Sequence, residues 1–208
     1  MLFPFARLLW IASAYAAISS LPFPAVAQGS AAGAFAPEDI VAVATGDFDG
    51  NGTMDAAMIV LPLDEDATDS DLYVFLEGAG EDTPPGKLAL ALHRKAAAWG
   101  AGPLMAGQVP QLTALENGSL RIETENTGIG RNAWQQKVTL AYRDGRFRVA
   151  GFTYEAYDKL QEEDPLSCDL NLFAGTGELN GEPVGFKATR TPFEDWTEDD
   201  AFRICGIG

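Results

Sequence analysis

The sequence predicts a mainly β protein: antiparallel hairpins in a meander, in one compact domain with little helix, with α+β as the alternative. Three observations lead there. Short runs rich in β-branched and aromatic residues are punctuated by Gly, Asn and Asp. Two alternating runs flank Asp144 and Gly145, a dipeptide suited to a tight hairpin turn. Hydrophobic residues make up 47% of the 208 residues, enough to bury a real core. A single domain suits this length, since domains usually run about 100 to 200 residues.

Taken in order, residues 1–27 carry one positive charge at Arg7, an apolar run over residues 8–18, and the small residues Ala25 and Ala27 before Gln28. That is the layout of a secretory signal peptide, with cleavage expected after Ala27. The apolar run is too short for a spanning helix, so no membrane span is expected in the mature chain. Residues 28–38 are small and Gly-rich and read as a flexible lead-in, leaving residues 39–208 as the β-rich domain. Residues 40–45 and 56–61 are apolar runs around a Gly, Asp and Asn loop. The continuous character of the second suggests a central strand covered on both faces. Residues 72–76 are rich in β-formers.

Residues 87–99 (KLALALHRKAAAW) suit either helix or strand. Strand is preferred, because Leu88, Leu90 and Leu92 alternate and Pro84, Pro85 and Gly86 form a turn before them. Asn117 and Gly118 open a hairpin into residues 119–126, where Leu120 and Ile122 alternate with Arg121 and Glu123. Around Asp144 and Gly145, Val138, Leu140 and Tyr142 face Phe147 and Val149. A short helix is placed at residues 154–161, and residues 189–208 are expected as irregular coil tied back by Cys205. No 40-residue unit repeats through the chain, which excludes a propeller built from such units.

Charge narrows the function. The 30 acidic and 14 basic residues give a formal net charge of -16, and the presumed signal segment removes only Arg7 from that balance. Such a surface repels phosphate backbones and anionic lipid, so no nucleic-acid partner is expected. A single histidine disfavours histidine-rich zinc sites. Export favours one bridge between the two cysteines, Cys168 and Cys205, since an oxidising compartment preserves disulfides.

The most specific feature is D-F-D-G-N-G-T-M-D at residues 47–55. Asp47, Asp49, Asn51 and Asp55 place side-chain oxygens at loop positions 1, 3, 5 and 9. Thr53 offers its carbonyl at position 7, and Gly52 falls at position 6, where such a loop turns sharply. Hard oxygen ligands suit Ca²⁺ better than Mg²⁺. The loop is no EF-hand: position 12 is Met58 instead of a bidentate Glu, and the flanks read as strands. Weak structural binding is expected, on the order of 10⁻⁴ to 10⁻³ M. A polar hairpin turn without an ion is the alternative.

On these residues the chain resembles a known family. Residues 41–62 (VAVATGDFDGNGTMDAAMIVLP), followed by 71–78 (DLYVFLEG), are similar to one FG-GAP or VCBS-type repeat, the calcium-loop strand pair of integrin-like propellers and many exported bacterial proteins. The resemblance implies calcium coordination by Asp47, Asp49, Asn51, Thr53 and Asp55. It covers about 40 residues and occurs once, whereas propellers repeat the unit. The rest of the chain is similar to a group of bacterial periplasmic proteins with one such loop, which implies a compact β-rich domain and brings no activity with it.

Other residues have ordinary readings. The acidic run at residues 64–71 reads as a solvated loop. His93 has no accompanying nucleophile motif and reads as structural. Residues 175–181 (GTGELNG) lack the Lys and helix of a phosphate loop and read as turns. Trp99, Trp134 and Trp196 suit a sugar or peptide site, or the core. No catalytic residue is assigned. The expected function is an exported, calcium-stabilised binding or interaction module for a protein or carbohydrate ligand in the periplasm or outside the cell. The alternatives are a periplasmic hydrolase using a carboxylate pair, and an acidic inhibitor or accessory subunit of an envelope enzyme.

Overall fold

Within each sheet, strands adjacent in sequence are also adjacent in space, as expected where an antiparallel neighbour is the nearest partner available. The computed structural model describes residues 35–62, 67–78, 84–102, 105, 107–161 and 165–207. The first sheet holds β1 (Ile40–Gly46), β2 (Asp55–Val60), β3 (Asp69–Glu77) and β4 (Leu88–Trp99), in that order. The second runs from β5 (Gln111–Ala114) through β6 (Leu120–Asn126), β7 (Asn132–Arg143), β8 (Arg146–Asp158), β9 (Leu166–Asn171) and β10 (Thr176–Leu179) to β11 (Glu182–Gly185). One helix, α1 (Glu198–Ile204), follows. All pairings are antiparallel, so the mainly β meander expected from the turn signals is the observed fold.

The two sheets share one core. Leu72, Val74 and Leu76 of β3 alternate inward and join Leu120 and Ile122 of β6, Val138 and Leu140 of β7, and Phe147, Val149 and Phe152 of β8. Full burial of each such side chain contributes about 1.5 to 3 kcal/mol. The tight turn at Asp144 and Gly145 closes β7 on β8 with Arg143 opposite Arg146, as the alternation predicts. Farther along, the register shifts between Thr139 and Leu140: Leu140 faces Val149 while Thr139 faces Gly151, leaving Ala150 as an extra residue. This bulge moves the inward side from odd to even positions, from Phe147 and Val149 to Phe152.

Several local expectations are corrected. Residues 154–158 are not helical. They continue β8, because Gln136 to Asn132 of β7 offer them a complete ladder that outweighs local propensity. The C-terminal segment is not all coil, since Glu198, Asp199 and Asp200 in the first turn and Arg203 in the last complement the dipole of α1. β2 is central in its sheet, but only one of its faces is covered: Ala57 and Ile59 are buried while Ala56 and Met58 are partly exposed. The acidic run is not wholly loop, as Asp69 and Asp71 lie in β3; Asp64, Glu65 and Asp66 lie outside the described residues. Within residues 175–181, the turns at Gly175 and Asn180 enclose a strand, β10.

The expected strand is present as Leu88–Trp99, though Leu88 and Leu90 are exposed and of the three leucines only Leu92 is buried, with a register shift between Leu90 and Leu92. The signal segment with its cleavage point, and residues 28–34 of the lead-in, lie outside the described residues. The end of the lead-in is ordered: Pro37–Asp39 forms a 3-10 turn, and Asp39 accepts from the Ala36 amide at 3.0 Å. Among the described residues no helix is long and apolar enough to cross a membrane.

Candidate metal loop and aromatic cleft

Residues 47–54 connect β1 to β2, with Gly46 paired to Asp55 at the base of the hairpin. The loop is wound by its own side chains. Asp47 Oδ1 accepts from the Gly50 and Asn51 amides at 2.8 and 3.0 Å, and its Oδ2 accepts from Gly52 at 2.9 Å. Asp49 accepts from the Asn51 amide at 3.0 Å. Gly52 sits at φ 86°, a left-handed conformation that a side chain would strain.

The winding brings Asp47, Asp49 and Asp55 together, each offering one oxygen within 4.8 Å of the others. None of the three pairs with a cation among the described residues. Partial burial holds the Asp49 carboxyl above its usual range, opposed by the Asn51 amide and reinforced by the charges of Asp55 and Asp47. A divalent cation would relieve that repulsion, and an all-oxygen donor set fits a hard one. Asn51 and Thr53 bond to each other: Asn51 Oδ1 accepts from the Thr53 amide at 2.7 Å and its hydroxyl at 2.5 Å.

Asp55 has a second role that spacing alone does not reveal. It is fully buried, and its oxygens accept from the Phe48 amide at 2.8 Å and the Glu77 amide at 2.9 Å. It therefore ties the loop to the end of β3. The turn before β6 braces the other side: Gly118 has φ 77°, and a Cβ there would lie 2.8 Å from the Asp47 carbonyl oxygen.

The predicted disulfide is present. Cys168 of β9 and Cys205 at the end of α1 are bridged, with Cα atoms 5.7 Å apart and a sequence separation of 37. Both are buried, so the bridge fixes α1 beside β8 and β9.

Where α1 faces β4, β6, β7 and β8, the core gives way to a cleft of about 530 Å³. Trp99 and Trp134 meet at 5.1 Å with planes tilted by 59°, and Tyr154 lies 6.3 Å from Trp134. Thr124, Gln136 and Tyr154 are in register across β6, β7 and β8 and form a polar row at the wall. Gln136 is buried and donates to Glu198 of α1 at 2.6 Å. Burial, and then the charge of Glu198, raise the Tyr154 pKa, keeping its hydroxyl protonated at neutral pH. Arg94, also in the wall, stacks 4.0 Å over Phe193 and donates to the carbonyls of Phe193 and Trp196 at 2.5 and 2.8 Å. Of the three tryptophans singled out in the sequence, Trp99 and Trp134 line the cleft, while Trp196 is buried against Phe152 and Phe193.

His93 lies far along β4 on the outer face. It stacks on Tyr73 at 4.2 Å and bonds Asp71 at 3.1 Å. No protein-family model, curated protein or solved structure matches this chain.

Proposed function

We propose that this chain is an exported β-rich binding module, stabilised by one calcium ion in the loop of residues 47–55, that takes its ligand in the cleft beside α1. The observation that carries the reading is the cleft itself: a concave site of ligand size, with aromatic walls on paired strands and one side held by a disulfide-anchored helix. The residue spacing of the loop, its likeness to an FG-GAP or VCBS-type repeat and the cluster of three carboxylates support calcium as its ion. The signal-like N-terminus and the disulfide favour the periplasm or the exterior.

Calcium is tested by thermal melting. At about ten times the dissociation constant, an ion bound only by the folded state adds about 1.4 kcal/mol, or about 3 to 6 °C for a domain of this size. The shift is expected with calcium over chelator in the parent protein and is absent in Asp49→Ala. Equal melting of the parent with calcium and with chelator overturns the assignment.

A further inference from the structure

We propose that the cleft is a receptor for an alkylammonium group, with Trp99, Trp134 and Tyr154 as its aromatic walls and Glu198 as the counter-charge. This rests on the binding-module reading and names the chemistry of its ligand.

Charge comes first. The wall contains one cation, Arg94, whose guanidinium already engages two backbone carbonyls and the face of Phe193. Three carboxylates line the same space, from Asp69, Glu198 and Asp199, in a chain of net charge -16. Arg94 offsets part of the Glu198 charge, but the three acids still outnumber the one cation, so the lining repels an anionic ligand and attracts a cation.

The free hydrogen-bonding groups point the same way. Gln136 commits its Nε2 to Glu198, and its Oε1 accepts no hydrogen bond among the described residues. Among the described residues no fully buried side-chain polar atom lacks a partner, so Oε1 of this cleft-lining, largely buried side chain keeps some exposure. Beside the hydroxyls of Thr124, Tyr154 and Thr197, which can donate or accept, the wall offers an amide oxygen and carboxylates, which suit a ligand that brings donors or positive charge.

Shape separates a cation from a sugar. A pyranose stacks on one flat exposed ring, whereas Trp99 and Trp134 are tilted by 59° and present two ring orientations, with Tyr154 stacked nearly parallel to Trp134 at 21°. Aromatic rings lining a cleft attract a cation through their quadrupoles, and the neighbouring carboxylates add to that attraction. This pairing also explains why aromatic rings and acids occur together where the core could have continued as aliphatic packing.

Two irregularities in the neighbouring strands serve this site. The extra residue at Ala150 puts Tyr154 on the inner side of β8. In β4 the register shifts between Leu72 opposite Arg94 and Ser70 opposite Ala98, with Ala96 at φ 48°, so Arg94 and Trp99 both reach the same cavity. Bulges of this kind re-aim side chains beside functional sites.

The test is a tryptophan-fluorescence titration of the oxidised, calcium-loaded protein, since two of its tryptophans line the cleft. Choline is compared with its neutral carbon isostere, 3,3-dimethyl-1-butanol, and with Nα-acetyl-lysine methylamide as the side chain of a protein partner. Saturable quenching is expected from at least one of the two cations, with the isostere about tenfold weaker than choline if choline binds. Glu198→Gln, an exposed substitution checked by unchanged melting, is expected to weaken the cation about tenfold and leave the isostere unaffected. Preference for choline indicates a free quaternary amine as the source; preference for the lysine derivative indicates a protein side chain. Equal binding of choline and isostere, an unaltered Glu198→Gln titration, or no saturable response to either cation overturns the proposal. Quenching by glucose without either cation would overturn the ammonium assignment while leaving the cleft a binding site. The calcium melting shift is independent of all these outcomes.

Discussion

Asp55 and Asp49 lie in one loop and differ in burial, so they separate two functions that the sequence pattern merges. Asp55 accepts from two backbone amides in the interior, and removing its carboxylate strands both donors at about 1 to 3 kcal/mol each. Asp55→Ala is therefore expected to lose about 2 to 6 kcal/mol in chemical denaturation even in chelator. Asp49→Ala should be close to neutral there and lose only the calcium-dependent gain. Matching losses for the two variants in chelator would refute this division. The three carboxylates that cluster were legible as candidates from the regular spacing of oxygens in the loop. The fold role of Asp55 was not, because its partner Glu77 is 22 positions away. Gly118 was legible as a turn residue, but its approach to Asp47 appears only in three dimensions. Gly118→Ala combines a left-handed backbone with a 2.8 Å contact, and a loss of about 1 kcal/mol or more is expected, read as a lower melting temperature in chelator.

At the scale of elements, signals written in adjacent residues were read correctly. The Asp144 and Gly145 hairpin, the β1 to β2 loop and the strand character of residues 88–99 all follow from turn chemistry and alternation. Long-range pairing decided the rest. Residues 154–158 have a tolerable helical composition, yet they extend β8 because β7 continues opposite them. The bulges that aim Tyr154 and Arg94 leave no composition signal, since Ala150 and Ala96 are unremarkable residues. For α1 a signal existed in the acids after Thr197 and in Arg203; the helix is only seven residues long and owes much of its stability to anchoring. That anchoring is testable. In the chain-entropy model, a bridge spanning 37 positions contributes about 4 kcal/mol. Cys168→Ala with Cys205→Ala is expected to lose about that much in chemical denaturation, and to expose the side of α1 against β8 to faster amide exchange. If the double variant denatures at the parent midpoint, the clamp has no thermodynamic role.

For the whole molecule, the net charge of -16 sets how stability responds to pH. Few acids are neutralised locally: the ion pairs of the described residues involve Asp71, Glu123, Asp144, Asp158 and Asp200. Most of the acidity therefore acts as self-repulsion, and without calcium, added monovalent salt should raise the melting temperature by screening it. Lowering the pH from about 8 to about 5 should act in the same direction, as carboxylates approach their ordinary range. Asp158 opposes this at the acid end. Its hydrogen bond from Arg131, and then one from the Leu160 amide, hold its pKa below the ordinary 3.8. A depressed carboxylate contributes stability that is fully present above its unfolded value and is lost as pH falls through the lower folded value. Melting temperature without calcium should therefore rise on mild acidification and fall again below about pH 4. Asp158→Asn should flatten part of that fall while lowering stability slightly at neutral pH. A melting temperature that drops steadily from neutral pH would refute the self-repulsion account, and an acid limb unchanged in Asp158→Asn would refute the role of this pair.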